Sequence, residues 1–230
     1  MNAKHILRPL CLVLITCGLF SCSKMDSTYA PFVKDGLVIY TPKIDSLKAL
    51  AGRDRIMLTG RIAERVDHFV IYWNNGRDSL MQTAPFDKVI NDTLYVPIAN
   101  LMEKTYFFDM VTYDQYGHVS VPATTKGRAY GDQYQALLEN RSIASLTQSP
   151  DAKDIIIDWT AARTGEVGVQ VRYADSNGDS LTVWVADSSS QTVLPSYQHG
   201  STLSYRSMYL PETTAVDTFF CAYRQIDLPE

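Results

Sequence analysis

The chain returns on itself, weakly but in constant order, at an interval close to one hundred residues. Ile44-Asp45-Ser46-Leu47 comes back 99 positions later as Ile143-Ala144-Ser145-Leu146, and Arg55-Ile56-Met57-Leu58 comes back at the same offset as Asp154-Ile155-Ile156-Ile157. Val70-Ile71-Tyr72 followed by Asp78-Ser79-Leu80 matches Val171-Arg172-Tyr173 followed by Asp179-Ser180-Leu181 at an offset of 101. The interval is that of one small β-sandwich, so the repeat predicts two copies of one module. Local patterns agree. Ile56, Leu58 and Gly60 alternate with Met57 and Thr59; Leu94, Val96 and Ile98 alternate with Tyr95 and Pro97; Val169, Val171 and Tyr173 alternate with Gln170 and Arg172. A period of two is that of a strand with one buried face. Asn75-Gly76 and Asn177-Gly178 supply residues that tolerate positive φ, as hairpin turns require. Pro97 has no N–H to give a ladder and is expected at an edge or a bulge.

The N-terminus carries Lys4 and Arg8 with no acid, then an apolar run, Leu10 to Phe20, too short to span a bilayer as a mature helix. This is the pattern of a secretory signal. The run ends in Leu19-Phe20-Ser21-Cys22, which resembles the bacterial lipobox; Phe20 is bulkier than usual there. The resemblance implies cleavage after Ser21 and a diacylated Cys22, an anchor firmer than a single chain. Loss of residues 1–21 removes two of the 21 Lys and Arg and none of the 25 acids, so the net charge moves from −4 to −6. With no basic run, nucleic acid is not an expected partner. Of four cysteines, Cys11 and Cys17 are discarded and Cys22 is lipidated, which leaves Cys221 without a disulfide partner, in the strand-like run Phe219-Phe220-Cys221-Ala222.

Little in the chain points to catalysis or to a cofactor. His68, His118 and His199 are far apart and lack metal-ligand spacing, and no Gly-x-Ser-x-Gly elbow or phosphate-cradling glycine loop is present. Asp175-Ser176-Asn177-Gly178-Asp179 hints at a calcium loop, but its glycine comes too early and position twelve is Ala186, so a hairpin turn is the better reading. Asp87 and Asp92 are acids that could flank a sugar, although spacing alone does not bring them together. No metal, no cofactor and no enzymatic activity are expected.

The aromatic residues are more informative. With Val70 and Tyr72 taken as inward on the offset of 101, Phe69, Ile71 and Trp73 are expected to point outward. On the neighbouring strand Tyr106, Phe108 and Met110 are expected inward, and Phe107, Val111 and Tyr113 outward. The first module would then carry an aromatic outer face, either packed on other parts of the chain or open to a partner. In the second module Trp184 alternates away from Val183 and Val185. Phe69, Trp73, Phe107, Tyr113 and Trp184 are thus the candidate binding platform, since aromatic faces stack on the apolar faces of sugars and on protein partners.

Leu101 to Met110, followed by Tyr113-Asp114-Gln115-Tyr116-Gly117, resembles the penultimate strand of fibronectin type III-like sandwiches. The resemblance implies that Leu101 plugs the core, that Tyr106 anchors the corner and that Asp114 to Gly117 turns into the last strand. Trp159, after Ile155-Ile156-Ile157-Asp158, sits where such modules often bury a tryptophan. A wider set of phrases comprises Gly36-Leu37-Val38-Ile39-Tyr40, Ile71-Tyr72-Trp73-Asn74-Asn75, Tyr130-Gly131-Asp132-Gln133-Tyr134, Leu138-Glu139-Asn140-Arg141, Tyr205-Arg206, Tyr209-Leu210-Pro211-Glu212 and Asp217-Thr218-Phe219. Together they resemble a lipoprotein family of Bacteroidota that bears domain of unknown function 4998. That resemblance implies an outer-membrane lipid anchor, cell-surface display and association with glycan-uptake proteins; it brings no catalytic residues.

The expected architecture is all-β: two tandem Ig/fibronectin type III-like β-sandwich modules joined by a short helix-containing connector. The segments are a signal peptide (1–21), a lipidated tether (22–34), a first module (35–129), a connector (130–141) in which Asp132 caps a short helix with Tyr134, Leu137 and Leu138 on one side, and a second module (142–230). The expected function is that of a non-catalytic binding or accessory component held to the membrane by its N-terminal lipid, with glycan or uptake proteins as partners. A spacer or protein-interaction role is the alternative, and a glycoside hydrolase the remotest reading.

Overall fold

Alternation becomes strand almost wherever the sequence has it. The computed structural model describes residues 39–87 and 89–229; the signal segment, Cys22 and the tether lie outside the described residues. Residues 41–230 form one compact unit. Its first eight strands are β1 (Asp45–Arg53), β2 (Arg55–Arg61), β3 (His68–Trp73), β4 (Asp78–Thr83), β5 (Val89–Ile90), β6 (Thr93–Ala99), β7 (Thr105–Tyr113) and β8 (Ala123–Tyr130). They form two layers, β5-β6-β2-β1 and β4-β3-β7-β8, linked where Gly52 and Arg53 of β1 pair in parallel with Ala129 and Tyr130 of β8. Ile56, Leu58, Leu94, Val96 and Ile98 from one layer meet Phe69, Ile71, Tyr106, Phe108 and Met110 from the other in one core.

The details follow from single residues. β5 covers β6 only at Thr93 and Leu94, so Pro97 lies on free edge, where its missing N–H costs no ladder bond. The Tyr106 hydroxyl donates to the Met102 carbonyl (3.2 Å) and fixes the corner before β7, beside the buried Leu101. Asp114 accepts from the Tyr116 and His118 N–H groups at 2.9 Å each and closes the turn at Gly117, whose φ is +82°.

The second module repeats the scheme with β9 (Ile143–Gln148), β10 (Ile155–Trp159), β11 (Glu166–Ala174), β12 (Ser180–Ala186), β13 (Gln191–Leu194), β14 (Thr202–Tyr209), β15 (Phe219–Phe220) and β16 (Arg224–Asp227). Its layers are β13-β10-β9 and β12-β11-β14-β15, with β16 also on β14. Trp159 closes β10 in the core, its Nε1 donating to Thr192 Oγ1 at 2.9 Å. The Asp175 carboxylate accepts from the Asn177 and Asp179 N–H groups, as a hairpin turn requires.

One strand is inverted relative to expectation. Phe69 and Ile71 are fully buried, and Trp73 packs against the same core with its ring 6.3 Å from Phe108. Val70 and Tyr72 take the outer side instead. The cause is the two hairpins. Trp73 pairs with Asp78 across the turn 74–77, whereas Ala174 pairs with Ser180 across the turn 175–179, so the second hairpin is one residue longer and Asp179 lies in its turn while Asp78 lies in a strand. The Asp-Ser-Leu phrases therefore do not coincide in space, and aligning on them set β3 one residue out of register. A one-residue slip turns every side chain of a strand to the opposite face.

The connector departs in a second way. Helix α1 (Asp132–Ala136) starts at Gly131, and Asp132 is already inside its first turn without capping it. The cap comes from Glu103, in the loop before β7, which accepts from the Gln133 and Tyr134 N–H groups at 3.0 and 3.1 Å. Leu137 is exposed rather than packed. Tyr134 does pack, edge-on to Tyr130 and to Phe219 of the second module.

That contact belongs to a joint made by the β14–β15 loop. The Asp217 carboxylate accepts from Arg55 Nε (2.8 Å) and Nη2 (2.7 Å) and from the Arg53 N–H (2.8 Å). These bonds hold Asp217 below the ordinary carboxylate range, the Arg55 hydrogen bonds being the largest cause. Val216 N–H donates to Ala51 O (2.8 Å), and the Arg53 guanidinium lies 4.4 Å above the Phe219 ring. A Cβ on Gly52 would stand 2.6 Å from Asp217 Oδ2, so only glycine admits this approach. Behind the joint, Arg141 and Glu166 are buried together 3.9 Å apart; desolvation pushes the Glu166 carboxyl up. Cys221 is buried beside them, and burial pushes its thiol up to about 11, as an inert structural cysteine requires.

Candidate ligand-binding faces

Each module has one sheet whose outer side carries aromatic residues. In the first it is β4-β3-β7-β8. Register places Met81, Val70 and Val111 in one outward row, and Ser79, Tyr72, Asp109 and Thr124 in the next. Phe107 stands across from Lys126 and is 71% exposed; Met81 is 64% exposed. At the other end of β7 the Tyr113 ring lies flat on His68, with centroids 4.5 Å apart and planes 3° from parallel. Burial and the neighbouring Tyr72 push the Tyr113 hydroxyl up, so it stays a neutral donor. A shallow, open recess of about 350 Å³ lies beside Phe107, floored by Asp109, Thr124 and Lys126 among others.

In the second module the face is β12-β11-β14 with β15 and β16. Trp184, 59% exposed, stands directly across from Gln170, which stands across from Arg206. Gln170 is almost fully buried, and its Oε1 accepts from Arg206 Nε (2.7 Å) and from the Tyr223 hydroxyl (2.6 Å). The Arg206 guanidinium is held 4.1 Å from the Phe220 ring centroid and 4.5 Å from that of Tyr223, and Arg172 lies 4.8 Å from Tyr223 as well. Cations and rings thus alternate along the sheet, each fixing the next.

Of the five residues that the sequence singled out, the structure leaves Phe107 and Trp184 exposed and Tyr113 half-buried on an outer face. Phe69 and Trp73 go to the core side. Phe107 and Tyr113 share one face, roughly 20 Å apart along β7 at the rise of a strand, while Trp184 belongs to the other module. Sequence reasoning missed Tyr72, Val70, Met81 and His68 through the register slip. It missed the Arg206–Tyr223–Phe220 stack because those residues meet across strands. Gln170 and Arg172 were legible, since they alternate with Val169, Val171 and Tyr173. Asp87 and Asp92 line different recesses and do not form a pair.

Two sandwiches in this strand order, the first with two four-stranded layers and the second with a three-stranded and a four-stranded layer, define a tandem of fibronectin type III-like modules. The chain belongs to the family DUF4998, a domain of unknown function, whose model matches residues 22–219. Among solved structures, the chain is similar to the FN1–FN3 domains of chicken CNTN1, with 12% identity and a TM-score of 0.46 over 83% of this chain and 66% of that one. It is also similar to a two-domain fibronectin type III segment of chicken tenascin, with 15% identity and a TM-score of 0.31 over 82% of this chain and 100% of that one. No curated protein matches significantly.

Proposed function

We propose that this protein is a lipid-anchored, non-catalytic binding component of the cell envelope, displayed from the outer membrane in the service of glycan uptake. The observation that carries the reading is the pair of outward sheet faces. Phe107, with Tyr72 and Asp109 beside it, and Trp184, on the same face as Arg172 and Arg206, combine ring surface with hydrogen-bonding groups in the way that sugar recognition uses them. The lipobox-like Leu19-Phe20-Ser21-Cys22 supports the anchor. Labelled palmitate should enter the wild-type protein and be absent from Cys22→Ser; equal labelling of both would refute the anchor. Affinity electrophoresis through gels containing soluble polysaccharides tests the binding reading. At least one polysaccharide should retard the protein, with the retardation reduced by Phe107→Ala or Trp184→Ala. Free migration in every gel would sink the reading.

A spacer role has its own support in the joint at Asp217, which holds the modules as one body. The two readings part on a single point: a spacer binds no glycan, and its exposed rings can be removed without consequence for ligand affinity.

A further inference from the structure

The outer face of the second module differs from that of the first in charge. Arg172 and Arg206 stand on neighbouring outward rows, next to Trp184 on one side and to Tyr223 and Phe220 on the other. Among the described residues neither guanidinium has a carboxylate within 4.0 Å, although Arg53, Arg55, Arg141 and Arg163 all do. The outward rows through Gly168, Gln170 and Arg172 carry no acid on any paired strand. Two cations fixed on a half-apolar surface repel each other and have no acid in their own rows to neutralise them; Asp227, across from Thr202, stands one row beyond and is bonded by the Thr202 hydroxyl.

They are also unusually fixed. Arg206 lies against the rings of both Phe220 and Tyr223, and its Nε is already bonded to Gln170. That arrangement removes the rotamer freedom that an arginine would otherwise lose on binding, and it leaves the two terminal nitrogens unassigned. A guanidinium edge matches a carboxylate with two parallel hydrogen bonds. Trp184 stands two strands from Arg206, roughly 10 Å at the spacing of neighbouring strands. An extended chain of sugar rings bridges such a distance, with one ring on the indole and the charged group of a neighbouring ring at the guanidinium.

We propose that this face, built by Trp184, Gln170, Arg172, Arg206 and Tyr223, binds an acidic polysaccharide, with a uronate carboxylate held by Arg206 and Arg172 and a sugar ring stacked on Trp184. The proposal rests on the glycan-binding reading above and adds the charge class of the ligand and the module that holds it. Charge complementarity selects the occupant, and the exposed indole favours a saccharide over a polyanion without rings.

The test is affinity electrophoresis of the full-length protein in detergent, in gels containing polygalacturonate, its methyl-esterified form, a neutral glucan or polyglutamate. The expected result is strong retardation by polygalacturonate that weakens with salt, and much weaker retardation by the methyl ester, which keeps the backbone and removes the charge. Arg206→Gln should weaken the apparent affinity about tenfold, the usual loss for a hydrogen bond to a charged partner. Arg172→Gln and Trp184→Ala change exposed residues, so they keep the proposal testable if Arg206→Gln perturbs folding; each should also weaken binding, whereas Phe107→Ala should not. Equal binding of ester and acid, equal binding of polyglutamate, or indifference to Trp184→Ala would overturn the proposal. Binding of the neutral glucan alone, through Phe107, would overturn it while leaving the glycan-binding reading intact. Absence of binding to every polysaccharide would remove both.

Discussion

Asp217→Ala should uncouple the two modules. The substitution removes a two-pronged bond to Arg55 and the acceptor for the Arg53 N–H, and it leaves a part-buried guanidinium without its partner. The expected loss is about 2 to 3 kcal/mol, most of it felt at the joint rather than within either sandwich, whose cores are separate. The parent protein should unfold in one transition and the variant in a broader or split one, and small-angle scattering of the variant should report a larger and more variable dimension. The same bond sets an acid dependence. Because the folded Asp217 titrates below its ordinary value, its contribution is fully present above about pH 4, the unfolded value. It is lost as pH falls through the lowered folded value. The stability difference between the parent protein and Asp217→Asn should therefore shrink toward zero below that range. A difference that persists in strong acid, or an unchanged scattering profile for Asp217→Ala, would show that the joint does not depend on this carboxylate.

Phe69→Ala should be far more damaging than Phe107→Ala. Phe69 is fully buried between the layers and touches the ring of Phe86 (centroids 5.2 Å apart), so its truncation opens a cavity that costs about 3 to 5 kcal/mol. Phe107 projects from the same module's outer sheet, and its loss should fall within about 0.5 kcal/mol. Urea unfolding of the two variants measures both. A loss for Phe69→Ala as small as that expected for Phe107→Ala would mean that β3 has the opposite register from the one described.

How much of this was legible in the sequence depends on the range of the interaction. The alternation of Ile56 with Met57, or of Val169 with Gln170, marks strand and buried face together, because both are local properties of the chain. Tyr106, Leu101 and the Asp114 turn were equally legible, since each acts within a few residues. The face of β3 was not: it depends on the length of the hairpin that follows, and Val70-Ile71-Tyr72-Trp73 is apolar on both sides. The helix cap was hidden for the same kind of reason, Glu103 lying about thirty residues from the N–H groups it serves. The phrases that carried the family resemblance gain a physical meaning. Tyr130 to Tyr134, Leu138 to Arg141, Tyr209 to Glu212 and Asp217 to Phe219 converge on the joint, where Tyr130 also bonds Glu212 and Asn140 bonds both Ser207 and Ala222. No periodicity announces such a place, because its parts are brought together only by the fold of both modules.

A ligand held on the outer sheet faces, as proposed, would shield their strands from solvent. Hydrogen exchange of the full-length protein, with and without a polysaccharide that retards it, tests this directly. Slowed exchange is expected on the outer-face strands: β11, β12 and β14 for an acidic ligand, β3, β7 and β8 for one that uses Phe107. Protection confined to the turns at the ends of the sandwiches, with these strands unchanged, would contradict it.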